Sequence, residues 1–130
     1  MSTINVGIIG TGGLANGRLM PAIAKQPDAT ILAVCDIDEK CAREAAGKFG
    51  VGHVFTDFRK MLEMSELDVV HVCTPNFKHV EPAVDALSAG KHVMVEKPIA
   101  RNATEAALIT GAAAQSGKKL MVGQNIRFTP

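Results

Sequence analysis

Two short stretches of the sequence carry residues that could bind a phosphate group or handle a proton. In the first, GIIGTGGLANG, Gly10, Gly12 and Ala15 have the spacing G-x-G-x-x-A. In the second, EKP, Glu96 and Lys97 follow an apolar run and precede a proline. Glycines let a backbone approach a phosphate closely, and an ammonium group beside a reacting oxygen stabilises negative charge. The two stretches can act together only if the fold brings them to one place.

The elements that would position them alternate regularly between strand and helix. Six apolar runs predict strands, over residues 4–9, 30–35, 54–56, 69–73, 92–95 and 120–123. They are continuous rather than alternating, which is typical of strands buried on both faces. The stretches between them predict helices over residues 14–25, 39–49, 58–64, 77–89 and 104–115. This pattern predicts an α/β fold: a doubly wound parallel sheet (Rossmann fold) in the order 3-2-1-4-5-6, with helices on both faces.

Composition excludes several classes of partner. The formal net charge is +1, from 14 basic and 13 acidic residues, so we expect neither nucleic acid nor an anionic membrane as partner. Aromatic residues make up only 4%, which argues against base stacking. No apolar run approaches the ~18 residues of a membrane span. Three cysteines without C-x-x-C spacing are interpreted as reduced thiols, and we expect a cytoplasmic protein.

The glycine stretch follows the first predicted strand and opens a helix, which is the context of a dinucleotide-binding loop. Asp36 ends the second strand, 21 residues after Ala15. A carboxylate there can accept hydrogen bonds from both hydroxyls of an adenosine ribose and would repel a 2′-phosphate, so NAD is favoured over NADP. The alternative for Asp36 is an ordinary helix N-cap. A methyltransferase binding S-adenosylmethionine is a second interpretation of the loop, which the G-x-G-x-x-A spacing disfavours.

In a parallel sheet of this order, ligands bind at the carboxyl edge between strands 1 and 4. The CTPNFKH stretch after strand 4 and the EKP stretch after strand 5 should both reach that edge. At this point the sequence resembles the Gfo/Idh/MocA family of NAD(P)-dependent oxidoreductases. The resemblance rests on GIIGTGGLA with Asp36, on CTPNFKH and on EKP, and it covers essentially the whole chain.

The resemblance implies roles for individual residues. Lys97 is the candidate catalytic residue, placed beside the nicotinamide and the reacting oxygen of the substrate, with Glu96 orienting it or contacting the ribose. A solvated lysine is the alternative for Lys97, and a hydrogen-bonded helix histidine is the alternative for His79. No metal site is expected. The candidate cofactor-binding residues are Gly10, Gly12, Gly13, Leu14, Ala15, Asp36, Ile37, Thr74, Pro75, Asn76, His79, Glu96 and Lys97.

The resemblance also implies an activity and a domain organisation. We expect residues 1–124 to form the NAD-binding domain and residues 125–130 to begin the connection to a substrate domain that this chain lacks. The reaction would be hydride transfer between nicotinamide and a hydroxyl or carbonyl of a sugar, polyol or related molecule. The general base would belong to the second domain, so the chain alone should bind NAD with little turnover. A stand-alone, non-catalytic NAD-sensing module is the alternative, and self-association into a homo-oligomer stays open.

Overall fold

A computed structural model of the protein describes residues 2–124. Its centre is a six-stranded sheet in the order 3-2-1-4-5-6, and all five neighbouring pairs are parallel. The predicted fold is therefore confirmed. The segment 125–130, predicted to begin an interdomain connection, lies outside the described residues. The strands are β1 (Ile4–Ile9), β2 (Ala29–Cys35), β3 (His53–Phe55), β4 (Val69–Val72), β5 (His92–Glu96) and β6 (Leu120–Gly123).

Five α-helices connect the strands, and polar caps mark where three of them begin. The side chains of Asp38, Asp57 and Asn102 each accept a backbone N–H of the following helix, which satisfies donors that have no partner within the helix. A short 3-10 helix, Asn76–Lys78, precedes the fourth. The helices are α1 (Met20–Ala24), α2 (Glu39–Phe49), α3 (Phe58–Leu62), α4 (Val80–Ser88) and α5 (Ala103–Ser116).

The helical segment after the glycine loop contains a wider turn. Residues Ala15–Leu19 form a π-helical turn that leads directly into α1. The N–H of Met20 donates to the carbonyl of Ala15, five residues earlier. Pro21, which has no N–H to donate, follows at once. The π turn thus lies at the point where the proline interrupts regular α-helical bonding.

Two apolar clusters lie on opposite faces of the sheet. One packs α3, α4 and α5 against β4 and β5, and the other packs α2 and the helical segment after the glycine loop against β1 and β2. On the second face, β5 and β6 are less covered, since Met94 and Glu96 are half-buried and Met121 is 52% exposed. Within residues 2–124, no helix has the length and apolarity needed to cross a membrane. Because the strands are parallel, their carboxyl ends lie at one edge of the sheet, and the candidate site residues follow these ends.

Candidate functional site

The glycine loop lies between the ends of β2 and β4. The N–H of Gly10 donates to the carbonyl of Cys35 at 2.8 Å, and the N–H of Cys73 donates to the carbonyl of Ile9 at 2.7 Å. These bonds extend the sheet by one residue on each side of β1. The loop after β1 and the loop after β4 are therefore in direct contact, as the strand order predicts.

Gly10 and Gly12 are required for different physical reasons. Gly10 has φ +93°, and a Cβ there would lie 2.8 Å from the carbonyl carbon and oxygen of Cys73. Only glycine fits this position, because the backbone conformation and the contact both exclude a side chain. A Cβ on Gly12 or Gly13 would meet nothing within 4 Å. The space above these two glycines is open to a ligand.

Asp36 binds the glycine loop directly. Its Oδ2 accepts hydrogen bonds from the N–H of Thr11 at 2.8 Å and from the Thr11 hydroxyl at 3.0 Å. Its Oδ1 accepts the N–H of Asp38 at 2.9 Å. A carboxylate can accept about four hydrogen bonds. Asp36 accepts three within the chain, so about one acceptor position remains. The residue predicted to bind the ribose thus also ties the loop to the end of β2.

Asn16 is a loop residue that the sequence interpretation missed. Its side-chain amide donates to the carbonyl of Thr11 and, at 3.1 Å, to the carbonyl of Gly12. These two bonds satisfy carbonyl groups of the loop, and the carbonyl of Gly12 also accepts the backbone N–H of Asn16 at 3.0 Å. An amide-bearing residue in the first helical turn after G-x-G is the sequence signal that could have identified it.

A groove of about 930 Å³ runs along this edge of the sheet. Nine of the predicted cofactor-binding residues line it: Gly10, Gly12, Gly13, Leu14, Ala15, Asp36, Ile37, Thr74 and Pro75. The groove continues across residues that sequence reasoning did not single out, including Phe77, Val80, Glu81, Arg101 and Leu108. Because these residues lie on the loop after β4, on α4, before α5 and on α5, only the fold could show that they reach the same groove.

Four predicted residues lie outside the lining of this groove. Asn76 is exposed at the start of the 3-10 helix, and His79 is buried, 1% exposed, with both ring nitrogens against backbone carbonyls. Glu96 is half-buried at the end of β5, and Lys97 is exposed directly after it. The structure therefore gathers the phosphate- and ribose-binding candidates in the groove and places the EKP stretch farther along the same edge.

Glu96 is held by a buried histidine. His71 of β4 is 3% exposed, and its Nε2 lies 2.9 Å from Oε1 of Glu96. Burial lowers the pKa of His71, and the Glu96 carboxylate opposes this effect in part. The neutral ring then donates its Nε2–H to the carboxylate. On the other side, a Cβ on Gly123 would come within 3.2 Å of both Glu96 oxygens, so this glycine leaves room for the acid.

Cys73 completes a cluster with His71 and Glu96 whose potential ligand atoms lie within 4.8 Å of one another. Burial, and then the charge of Glu96, raise the pKa of the Cys73 thiol to about 12. A metal ion would have to displace the thiol proton in order to bind Cys73, because metals bind the thiolate. Without a metal ion, the cluster is a histidine–carboxylate pair beside a thiol, and all three cysteines of the chain are free.

The residues of the groove fit a dinucleotide. The open space above Gly12 and Gly13 is what the approach of a pyrophosphate requires, and the helix that starts there supplies N–H groups and a partial positive charge. Asp36 lies beside this loop with acceptor capacity remaining on Oδ1. Apolar side chains, among them Leu14 and Ile37, line the groove on either side.

The similarity to known proteins agrees with this geometry. Residues 4–124 match the model of the Gfo/Idh/MocA group, described as an oxidoreductase family with an NAD-binding Rossmann fold. A D-glucoside 3-dehydrogenase from Escherichia coli is 37% identical over 127 residues, which is 98% of this chain and 36% of that protein.

Two solved structures show the same fold. A 3-ketoreductase from Actinomadura kijaniata in complex with TDP-benzene and NADP has a TM-score of 0.92 and 30% identity, over 99% of this chain and 40% of its own. Scyllo-inositol dehydrogenase from Lactobacillus casei, with bound NAD(H) and scyllo-inositol, has a TM-score of 0.89 and 32% identity. The match covers 98% of this chain and 38% of that protein. The chain spans 39%, 35% and 40% of the lengths of three curated relatives that it matches.

Proposed function

The chain belongs to the Gfo/Idh/MocA family of oxidoreductases, and we propose that it is the cofactor-binding domain of an NAD-dependent dehydrogenase. The substrate would carry a hydroxyl or carbonyl group on a sugar, a polyol or a related small molecule. The observation that carries the proposal is the groove at the switch point between β1 and β4. It is lined by the glycine loop, by Asp36 and by the loop after β4.

The preference for NAD rests on Asp36. A second anion beside this carboxylate would be repelled, and the acceptor position that remains on Oδ1 suits a ribose hydroxyl. The similar structures contain NADP in one case and NAD(H) in the other, so they support binding of either cofactor. The choice between the two is therefore proposed from the residues of this chain alone.

In the proposed reaction, Lys97 would act on the substrate oxygen. Its ammonium group would stabilise negative charge that develops there, and Glu96, held by His71, would lie next to it at the end of β5. The nicotinamide supplies the hydride acceptor or donor when the cofactor is bound. We expect the group that exchanges the proton with the substrate to lie in another part of the protein, as it does in the family that the sequence resembles.

Calorimetry with NAD and with NADP tests the proposal on the chain itself. We expect NAD to bind more tightly than NADP, with little or no turnover of sugars or polyols. Absence of NAD binding at millimolar cofactor would overturn the proposed function, and NAD binding by a natural protein that ends where this chain ends would favour a sensing module instead. A cytoplasmic location and the possibility of a homo-oligomer remain part of the proposal.

A further inference from the structure

His79 is a buried polar side chain at the edge of the site and lies outside the lining of the groove. It precedes α4 and is 1% exposed. Its Nδ1 lies 2.9 Å from the carbonyl oxygen of Pro98, and its Nε2 lies 2.9 Å from the carbonyl oxygen of Thr74. Thr74 belongs to the loop after β4, and Pro98 directly follows Lys97. The imidazole ring therefore bridges the two loops that carry the candidate site.

Both partners of the ring are acceptors. A neutral imidazole has one N–H and one lone pair, so it can donate to only one of the two carbonyls and must set its lone pair against the other. An imidazolium donates from both nitrogens. In either state the ring donates to at least one of the two carbonyls at a position that is 1% exposed, where loss of the hydrogen bond would be costly.

We propose that His79 is a positioning residue for Lys97: its ring bridges the carbonyls of Thr74 and Pro98 and thereby fixes the segment that carries Lys97 to the loop after β4. Its positioning role rests on the proposed function of Lys97. Within residues 2–124, the hydrogen-bonding contacts of the ring are these two carbonyls.

The bridge is anchored on one side. The Thr74 hydroxyl donates to the carbonyl of Lys78 at 3.0 Å, and the N–H of Lys78 donates to the carbonyl of Pro75 at 2.8 Å. The loop after β4 is thus fixed by bonds that do not involve the ring. Loss of the ring's hydrogen bonds should consequently release the Pro98 side, and with it Lys97, more than the groove-lining loop.

Two substitutions separate this role from general packing. His79→Leu fills the space without a donor, whereas His79→Gln keeps donors on its amide. We expect His79→Leu to shift the NMR signals of Lys97 and to weaken NAD binding about tenfold, with ADP binding changed less than twofold and a partial recovery in His79→Gln. Unchanged Lys97 signals in a folded His79→Leu variant would overturn the positioning role.

The unaltered chain tests the bridge without any variant and without any cofactor. A ring N–H of His79 that donates to a buried carbonyl exchanges slowly with water and gives an observable signal in a proton–nitrogen correlation spectrum of the ¹⁵N-labelled protein. We expect this signal for His79. A His79 ring N–H that exchanges as fast as that of the exposed His53 would overturn the bridge. If neither NAD nor ADP binds, the proposed function fails while this spectrum still decides the bridge.

Discussion

The carboxylate of Asp36 holds Thr11 through two hydrogen bonds, one from its backbone N–H at 2.8 Å and one from its hydroxyl at 3.0 Å. Thr11 is 2% exposed and lies inside the glycine loop. Asp36 therefore has one role that is structural and, in the proposed function, a second role as the residue that contacts the ribose. Substituting Asp36 affects both roles, whereas substituting Thr11 affects only the structural one. The two substitutions together therefore separate the roles.

Replacing Asp36 should change cofactor preference. Asp36→Ala removes the acceptor for a ribose hydroxyl and the negative charge that disfavours a 2′-phosphate. A hydrogen bond to a charged group contributes roughly 1.5–3 kcal/mol, so NAD should bind about tenfold more weakly or worse. NADP should lose less, and the ratio of the two dissociation constants should move toward one. Calorimetry with both cofactors measures this ratio.

Thr11→Val is the matched control for that experiment. It keeps the carboxylate and the N–H contact of residue 11 and removes only the hydroxyl bond. NAD and NADP affinities should fall together, by less than about tenfold, since a single hydrogen bond contributes about 1 kcal/mol. If Thr11→Val altered the ratio as much as Asp36→Ala does, the preference would come from loop geometry and not from the charge of Asp36.

Gly10→Ala should reduce the stability of the fold, whereas Gly12→Ala should leave stability nearly unchanged and weaken NAD binding. At Gly10, a Cβ would combine φ +93° with a 2.8 Å contact to the backbone of Cys73. We expect a loss of about 2–3 kcal/mol in the free energy of unfolding, measured by urea denaturation. At Gly12, a Cβ would meet no protein atom within 4 Å, so stability should change by less than about 0.5 kcal/mol.

NAD binding, rather than stability, is the measurement that tests the role of Gly12. Gly12→Ala places a methyl group in the open space where the proposed pyrophosphate would approach, and NAD affinity should fall at least about tenfold, or 1.4 kcal/mol. A stable Gly12→Ala variant that binds NAD normally would show that the cofactor does not occupy this space. A Gly10→Ala variant as stable as the unaltered chain would contradict the described contact with Cys73.

Burial of His71 should make the protein less stable in acid. Its pKa is lowered from the ordinary value of 6.5, chiefly by burial and against the opposing effect of Glu96. The unfolded chain then binds a proton that the folded chain does not, so the stabilisation is fully present above pH 6.5 and is lost as the pH falls toward the folded pKa. Urea denaturation between pH 7.5 and pH 5 measures the slope.

His71→Gln should flatten that slope, because the amide keeps a donor for Glu96 and does not titrate. His53→Gln, at an exposed position on β3, is the control and should leave the slope unchanged. An equally steep loss of stability in His71→Gln would assign the acid sensitivity to other groups.

Much of the fold could be predicted from the sequence, because strand and helix patterns are local. The strand order followed from them, and so did the placement of the glycine loop and Asp36 at the same edge of the sheet. The hydrogen bond between Thr11 and Asp36 could not be predicted, since it joins residues 25 apart whose approach depends on the finished sheet. The burial of His79 has the same origin: its partners, Thr74 and Pro98, belong to different loops.

Gly123→Ala should act on His71 through Glu96. A Cβ at position 123 would lie 3.2 Å from both carboxylate oxygens, so the carboxylate must move by a few tenths of an ångström. Because the charge of Glu96 raises the pKa of His71 against the effect of burial, a weaker contact should lower that pKa further. An NMR titration of His71 measures the change, and Gly111→Ala, where a Cβ meets nothing within 4 Å, is the control. A pKa of His71 that rises in Gly123→Ala, or that falls equally in Gly111→Ala, would contradict the described contact between Gly123 and Glu96.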